Sequence, residues 1–210
     1  MGGTRRERAE ETHQHLLASA KAVFEERGYR CTSVAAITEA ASTAHGTFYL
    51  YFRNKEDVFE QLVDSLMEEL YRETLTPLDP ATHVYDAEVA RGRVAAFLAV
   101  AERERGLMRA LFEAIVESPT IAARWRSARE RFVEGIAARL RTYRDRGELR
   151  ALDVDLAAAT LCGMLEWLVF TSAAFEVPGP LEASERVIDT VADLWASALA
   201  VGGPSPEAHA

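Results

Sequence analysis

The chain has 210 residues, 49% of them hydrophobic, and a formal net charge of −9; that length allows one large domain or two small ones. Ala and Leu are abundant and β-branched residues sparse, which favours helix, and Arg dominates the basic residues, Lys21 and Lys55 being the lysines. The acidity excludes a uniformly basic nucleic-acid binder, but residues 1–60 carry eight Lys/Arg against nine Asp/Glu while residues 61–210 carry sixteen against twenty-four, so a local DNA-binding face in the N-terminal third stays open.

From about Arg6 to Arg27, Leu16, Leu17, Ala20, Val23 and Phe24 fall on one helical face, and Gly28 closes the helix. Thr32 or Ser33 caps a second short helix that turns Val34, Ile37 and Ala41 inward. Ser42-Thr43 breaks the chain before a third short helix from about Ala44 to Leu50. Asn54 caps a fourth, which carries Val58, Phe59, Leu62, Val63, Leu66 and Leu70, and Pro77 and Pro80 bracket the loop after it. Helical patterns follow at about 86–103 and 105–117. Ser118-Pro119 opens a long helix with the stripe Ile121, Trp125, Ala128, Phe132, Ile136 and Leu140, and Gly147 stops it. Asp153 caps an apolar helix running through Phe175, and Pro178-Gly179-Pro180 breaks it. A last helix carries Val187, Ile188, Val191, Leu194, Trp195, Ala198 and Leu199, and residues 202–210 read as a polar tail. No strand alternates and no repeat stands out, so the fold class is all-α, with about nine helices.

Cys31 and Cys162 stand far apart without a CxxC pattern, which predicts neither a disulfide framework nor a zinc site but two reduced thiols in a cytoplasmic protein. His13, His15, His45, His83 and His209 are not grouped as metal ligands. No Ser-His-Asp set or Gly-rich phosphate loop is visible, so neither an enzyme nor a cofactor is expected. The charged N-terminus lacks the apolar segment of a signal peptide. Leu156–Phe175 has the length of a bilayer span, but it holds Glu166 among Ala, Thr and Ser and has no basic flank close by. A helix apolar all round is more simply buried in protein or in a subunit interface.

Two short helices joined by a tight turn and docked on a longer one make a helix-turn-helix unit. Residues 28–58 read Gly28-Tyr29-Arg30-Cys31-Thr32-Ser33-Val34, then Ile37, Ala40-Ala41, His45-Gly46-Thr47-Phe48-Tyr49-Leu50-Tyr51-Phe52 and Asn54-Lys55-Glu56-Asp57-Val58. This strongly resembles the N-terminal signature of the TetR family of bacterial transcriptional regulators. The match departs in the turn, where Ser42-Thr43-Ala44 replaces the family's usual Gly-Val-Ser. Ser in place of Gly is poorer if the turn needs φ > 0, and Thr43 is expected to take over the capping that Ala44 cannot do.

In a helix-turn-helix the N-terminal part of the second helix meets base edges in the major groove. Here that part is Ala44, His45, Gly46 and Thr47. His45 can donate to guanine N7 or O6 or to a phosphate, Gly46 lets the backbone approach, and Thr47 offers a hydroxyl and a methyl group. Phe48 points inward as an anchor. The resemblance implies a DNA contact from Tyr49 and a phosphate contact near Tyr51, and Leu50 can touch a thymine methyl or a sugar. Lys55, at the start of the fourth helix, and Thr32 or Ser33, at the start of the second, are candidate phosphate contacts. So are Arg5, Arg6 and Arg8. These assignments divide the chain into a DNA-binding domain (1–53), an effector-binding and dimerisation domain (54–201) linked by the helix over 54–75, and a tail (202–210).

The acidic body is expected to serve dimerisation and ligand binding. Leu161, Leu165, Leu168, Val187, Val191, Leu194, Trp195 and Leu199 are the candidate interface, two helices from each subunit making a four-helix bundle about a two-fold axis. Met108, Phe112, Trp125, Phe132, Tyr143, Met164, Trp167 and Phe170 are candidates for an apolar effector pocket. Glu166 needs a partner, either an Arg of the other subunit or a polar group of the effector. The resemblance implies a homodimer that grips palindromic double-stranded operator DNA and lets go when a small apolar effector binds. A transcriptional activator, or a helical scaffold module without DNA binding, is the alternative.

Overall fold

The computed structural model describes residues 5–75, 87–175 and 185–200. In chain order the elements are α1 (Arg5–Cys31), α2 (Val34–Ala40), α3 (His45–Phe48), α4 (Lys55–Thr74), α5 (Ala87–Arg103), α6 (Arg105–Glu117), α7 (Pro119–Asp145), α8 (Val154–Phe175) and α9 (Glu185–Leu199). Among the described residues the one extended pairing is an isolated antiparallel bridge between Leu149 and Ala200, so the chain is all-α. The expected loop around Pro77 and Pro80, the Pro178-Gly179-Pro180 break and the tail from residue 202 lie outside the described residues.

Local chemistry sets several helix ends. Ser33 accepts from the Ala36 N–H at 3.2 Å and caps α2, and Asn54 accepts from the Asp57 N–H at 2.9 Å ahead of α4. Ser118 accepts from the Ile121 N–H at 3.1 Å at the head of α7, and Asp153 takes the Leu156 N–H at 3.0 Å at the head of α8. Each satisfies an N–H that a helix start leaves open. Gly147 follows α7 with φ of 74°, a left-handed conformation open to glycine. Gly28, with φ of 75°, breaks α1 at a kink where its end was expected, and a short helical stretch continues to Cys31. One expectation is corrected. Thr43 does not cap α3: Ala44 stands at that position without a side-chain bond, and the buried Thr43 hydroxyl has no hydrogen-bond partner among the described residues.

The described residues group into two units. The first joins residues 1–67 to residues 104–126. Leu16, Ala20 and Phe24 of α1, Ile37 of α2, Phe48 of α3 and Val58, Phe59 and Val63 of α4 are fully buried. Burying each large apolar side chain contributes roughly 1.5–3 kcal/mol. The Phe24 and Phe59 rings meet edge-on at 4.6 Å between centroids. α6 packs on α1 with little space between them, because a Cβ on Gly106 would lie 2.8 Å from the Cβ of Glu25. Polar ties reinforce that seam: Lys21 pairs with the buried Glu104 at 2.6 Å, and Arg109 donates to the Glu25 carbonyl at 2.8 Å. Arg124 binds Glu60 at 2.7 Å and Asp64 at 2.5 Å. This unit thus holds α1–α3, the first part of α4, α6 and the start of α7.

The second unit comprises residues 68–103 and 127–210. α5 packs against α9 and α8, burying Val94, Phe97, Leu98 and Ala101 of α5 and Val187, Ile188, Val191 and Ala192 of α9. Arg91 bridges to Glu185 and to Asp189, the latter at 2.8 Å. α8 is the one helix among the described residues long and apolar enough to cross a membrane, over Val154–Ala173, yet it carries Glu166, bound at 2.8 and 2.9 Å by the Nε of Arg129.

Ser42 is the one non-glycine residue with positive φ among the described residues, at 50°. Its side chain is exposed, and a left-handed L-residue costs roughly 1–2 kcal/mol. Ser42→Gly removes that strain while loosening the unfolded chain. The expected net gain is about 0.5–1 kcal/mol in urea unfolding; a loss would mean that the Ser42 side chain carries an interaction of its own.

Candidate nucleic-acid interface and effector cavity

α3 is a single turn held from below. Phe48 is fully buried and lies 5.3 Å from the Phe52 ring, and Phe52 in turn stacks on His13 at 5.0 Å. His15 lies 3.0 Å from the Ala41 carbonyl and joins α1 to the end of α2. With its anchor buried, the turn leaves Ala44, His45 and Gly46 exposed, followed by Tyr49 at 52% and Leu50 at 79% exposure. Thr47 and Tyr51 are half-buried, Tyr51 against His13 at 6.0 Å. The His45 and Tyr49 rings meet edge-on at 5.3 Å. A Cβ on Gly46 would meet nothing within 4 Å, so the unit itself has no steric need for glycine there. Ser33 is exposed at the head of α2.

Two expected phosphate contacts face inward instead. Thr32 is buried, and its hydroxyl donates to the Gly28 carbonyl at 2.7 Å. Lys55 donates to the carbonyls of Tyr29 at 2.9 Å and Thr32 at 3.1 Å, and its ammonium sits 4.5 Å from the centre of the Tyr29 ring. The kink interrupts α1 near its end, and Lys55 at the start of α4 satisfies carbonyls there and just beyond it. Burial, followed by Glu56, Glu117 and Glu60, pushes the Tyr29 phenol up to about 12.

The second unit contains a cavity of about 80 Å³ lined by Phe132, Ile136, Leu140 and Tyr143 of α7, Leu161 and Leu165 of α8, Trp195 and Leu199 of α9, and Thr74, Leu75, Val89, Ala90, Arg93, Arg139 and Ala196. At about 10–15 Å³ per water it has room for several. Of the expected pocket residues, Phe132 and Tyr143 line it. Met108, Phe112 and Trp125 belong to the first unit, and Met164, Glu166, Trp167 and Phe170 are not among its lining residues. Glu166 pairs with Arg129 of its own chain. Behind that pair burial, with Glu166 adding to it, holds the Cys162 thiol up at about 12.

Leu161, Leu165, Trp195 and Leu199, expected at a subunit interface, are buried in their own chain and line the cavity. Val187 and Val191 are buried as well, and Leu168 is half-buried. Of that group only Leu194 is exposed; the other exposed large apolar side chains among the described residues of the unit are Tyr71, Leu156 and Trp167, the last 62% exposed. Periodicity marks an apolar face but does not say which of two apolar faces turns to solvent. Sequence reasoning missed Arg93 and Arg139. The signal for Arg139 was an arginine on the apolar stripe that runs from Phe132 through Ile136 and Leu140 to Tyr143.

The description "Bacterial regulatory proteins, tetR family" matches residues 16–62, and "Transcriptional regulator EthR, C-terminal domain" matches residues 81–200, more than half of the chain. The chain is 28% identical over 185 residues to the HTH-type transcriptional regulator EthR of Mycobacterium tuberculosis H37Rv, covering 88% of this chain and 85% of that one. Among solved structures it is similar to the TetR family transcriptional regulator PfmR from Thermus thermophilus, at a TM-score of 0.67 and 26% identity, covering 86% of this chain and 96% of the other. Salmonella enterica GusR shares the fold at a TM-score of 0.74 and 20% identity, covering 90% of this chain and 95% of the other.

The inward position of Lys55 separates two roles. Lys55→Met is expected to lower stability by about 1.5–3 kcal/mol in urea unfolding, the range for hydrogen bonds involving a charged group, and to leave the salt dependence of DNA binding unchanged. Unaltered stability together with a salt slope smaller by about one would return Lys55 to the phosphate backbone.

Proposed function

Since the chain belongs to the TetR family of bacterial regulatory proteins, we propose that this transcriptional regulator is a homodimeric repressor that places α3 of each subunit in the major groove of a palindromic operator. The observation that carries this reading is the exposed edge of α3 over a buried Phe48. His45 and Thr47 read base edges, with Leu50 against a thymine methyl or a sugar. Gly46 brings the backbone close to the DNA, which gives an external reason for a glycine that nothing inside the unit requires. Tyr49, Tyr51 and Ser33 bind phosphates and fix the register.

The dimer forms through α8 and α9. Leu156, Thr160, Gly163 and Trp167 recur at helical spacing along α8, and Leu156, Thr160 and Trp167 are exposed. The small residues in that stripe allow a close helix approach, and Leu194 of α9 adds apolar surface beside it. Burial of this surface against a second copy gives the four-helix bundle of two subunits. A small, largely apolar effector enters the cavity of the second unit and favours a conformation in which the fourth helix has shifted, so that the spacing of the two α3 segments no longer suits the operator.

Gel shifts on the DNA upstream of the gene test the first claim. Gly46→Ala is expected to raise stability by about 0.5–1 kcal/mol, since alanine is the better helix former, yet to weaken operator binding at least tenfold. Undiminished binding would remove α3 from the groove, and no binding by the unmodified protein to any duplex would favour a scaffold role. Trp167→Asp should sediment as a monomer at micromolar concentration, while a persistent dimer would place the interface elsewhere.

A further inference from the structure

The cavity has a polar end that a purely apolar effector would leave unused. Arg93 and Arg139 are its charged lining residues among those described. Both guanidiniums are turned onto the end of α4: Arg93 donates to the Thr74 carbonyl and Arg139 to the Leu75 carbonyl. Two further polar groups of the lining are buried, with no hydrogen-bond partner among the described residues: the Trp195 indole N–H and the Thr74 hydroxyl. Trp195 is 8% and Thr74 3% exposed. A buried donor left unsatisfied costs roughly 1–3 kcal/mol, so these groups favour a ligand carrying acceptor oxygens.

The electrostatics have the same sign. Burial, and then the neighbouring charge of Arg139, bring the Arg93 guanidinium down to about 10, and burial also lowers Arg139. The Tyr143 phenol feels both arginines, which oppose the upward push of its own burial. Two like charges share an apolar wall, and an anion between them relieves their repulsion. A cation would add to it.

Resting on the reading of this cavity as the effector site, we propose that the effector is an amphiphile with a carboxylate-like anionic head, and that the head acts by drawing Arg93 and Arg139 away from the C-terminal carbonyls of α4. A guanidinium binds a carboxylate, with two charge-assisted hydrogen bonds available, more strongly than a neutral carbonyl. The apolar tail lies among Phe132, Ile136, Leu140, Leu161 and Leu165. Occupancy therefore leaves the last carbonyls of α4 unsatisfied, and the helix that carries the chain from the first unit into the second loses its terminal clasp. The effector and the clasp compete for the same two side chains, so by linkage each weakens the other.

Isothermal titration of the full chain with octanoate, 1-octanol and octyltrimethylammonium tests this. Octanoate is expected to bind at least tenfold more tightly than octanol, and the ammonium not at all. Arg139→Gln should bring octanoate to the level of octanol and leave octanol unchanged, whereas Arg139→Lys should keep a preference for octanoate. Equal binding of octanoate and octanol by the unmodified protein would overturn the anionic head while leaving the cavity as an effector site. Binding of none of the three at millimolar concentration would overturn the cavity reading itself. Amide hydrogen exchange in the last turn of α4 should quicken with octanoate bound, and slower exchange there would overturn the competition.

Discussion

A helix leaves its last carbonyls without partners, and the way this protein satisfies those of α1 organises its N-terminal unit. The kink at Gly28 interrupts α1 near its end, and the carbonyls of Gly28, Tyr29 and Thr32 around it are bonded by side chains. Thr32 answers the first through its hydroxyl, and Lys55 answers the other two. Glu113 of α6 accepts the Arg30 N–H at 3.1 Å, and its carboxylate occupies the space that a Cβ on residue 28 would need, 2.5 Å away. One short stretch of backbone thus fixes the starts of α2 and α4 and the position of α6. The exposure of α3 depends on that frame, because Phe48 has a buried seat only when α1, α2 and α4 are already in place.

The same chemistry recurs at the far end of α4, with arginines in place of lysine. There the clasp lies in an apolar wall, so each guanidinium is held where its charge is unfavourable, and it can be contested by a stronger acceptor. At α1 the ammonium sits over an aromatic face with carbonyls around it. One arrangement favours permanence and the other exchange, a division that suits a protein whose reading head must hold its shape while its body responds to a ligand.

How much of this was legible in the sequence follows from the range of each interaction. Ser33, Asn54, Ser118 and Asp153 act within three residues of where they stand, and their caps could be read directly. Phe48 was legible as an anchor because its neighbours on the short helix are polar or small. Thr32 and Lys55 were misjudged because their partners are backbone carbonyls, which carry no mark in the sequence. α6 looked like part of the body, since its attachment to α1 is made through Lys21 and Glu104, more than eighty positions apart. That Leu161, Leu165, Trp195 and Leu199 line a cavity was not legible for a different reason. α8 is apolar on several faces, and periodicity does not distinguish the face that lines the cavity from the one that Leu156 and Trp167 leave open.

The scarcity of lysine has a consequence for chemical modification. The two lysines, Lys21 and Lys55, are each engaged inside the N-terminal unit, one with Glu104 and the other with backbone carbonyls. Acetylation of either amine would abolish its charge and loosen the framework under α3 without erasing any contact on the reading edge itself. An amine-directed acylating agent would therefore act on this protein by softening that framework.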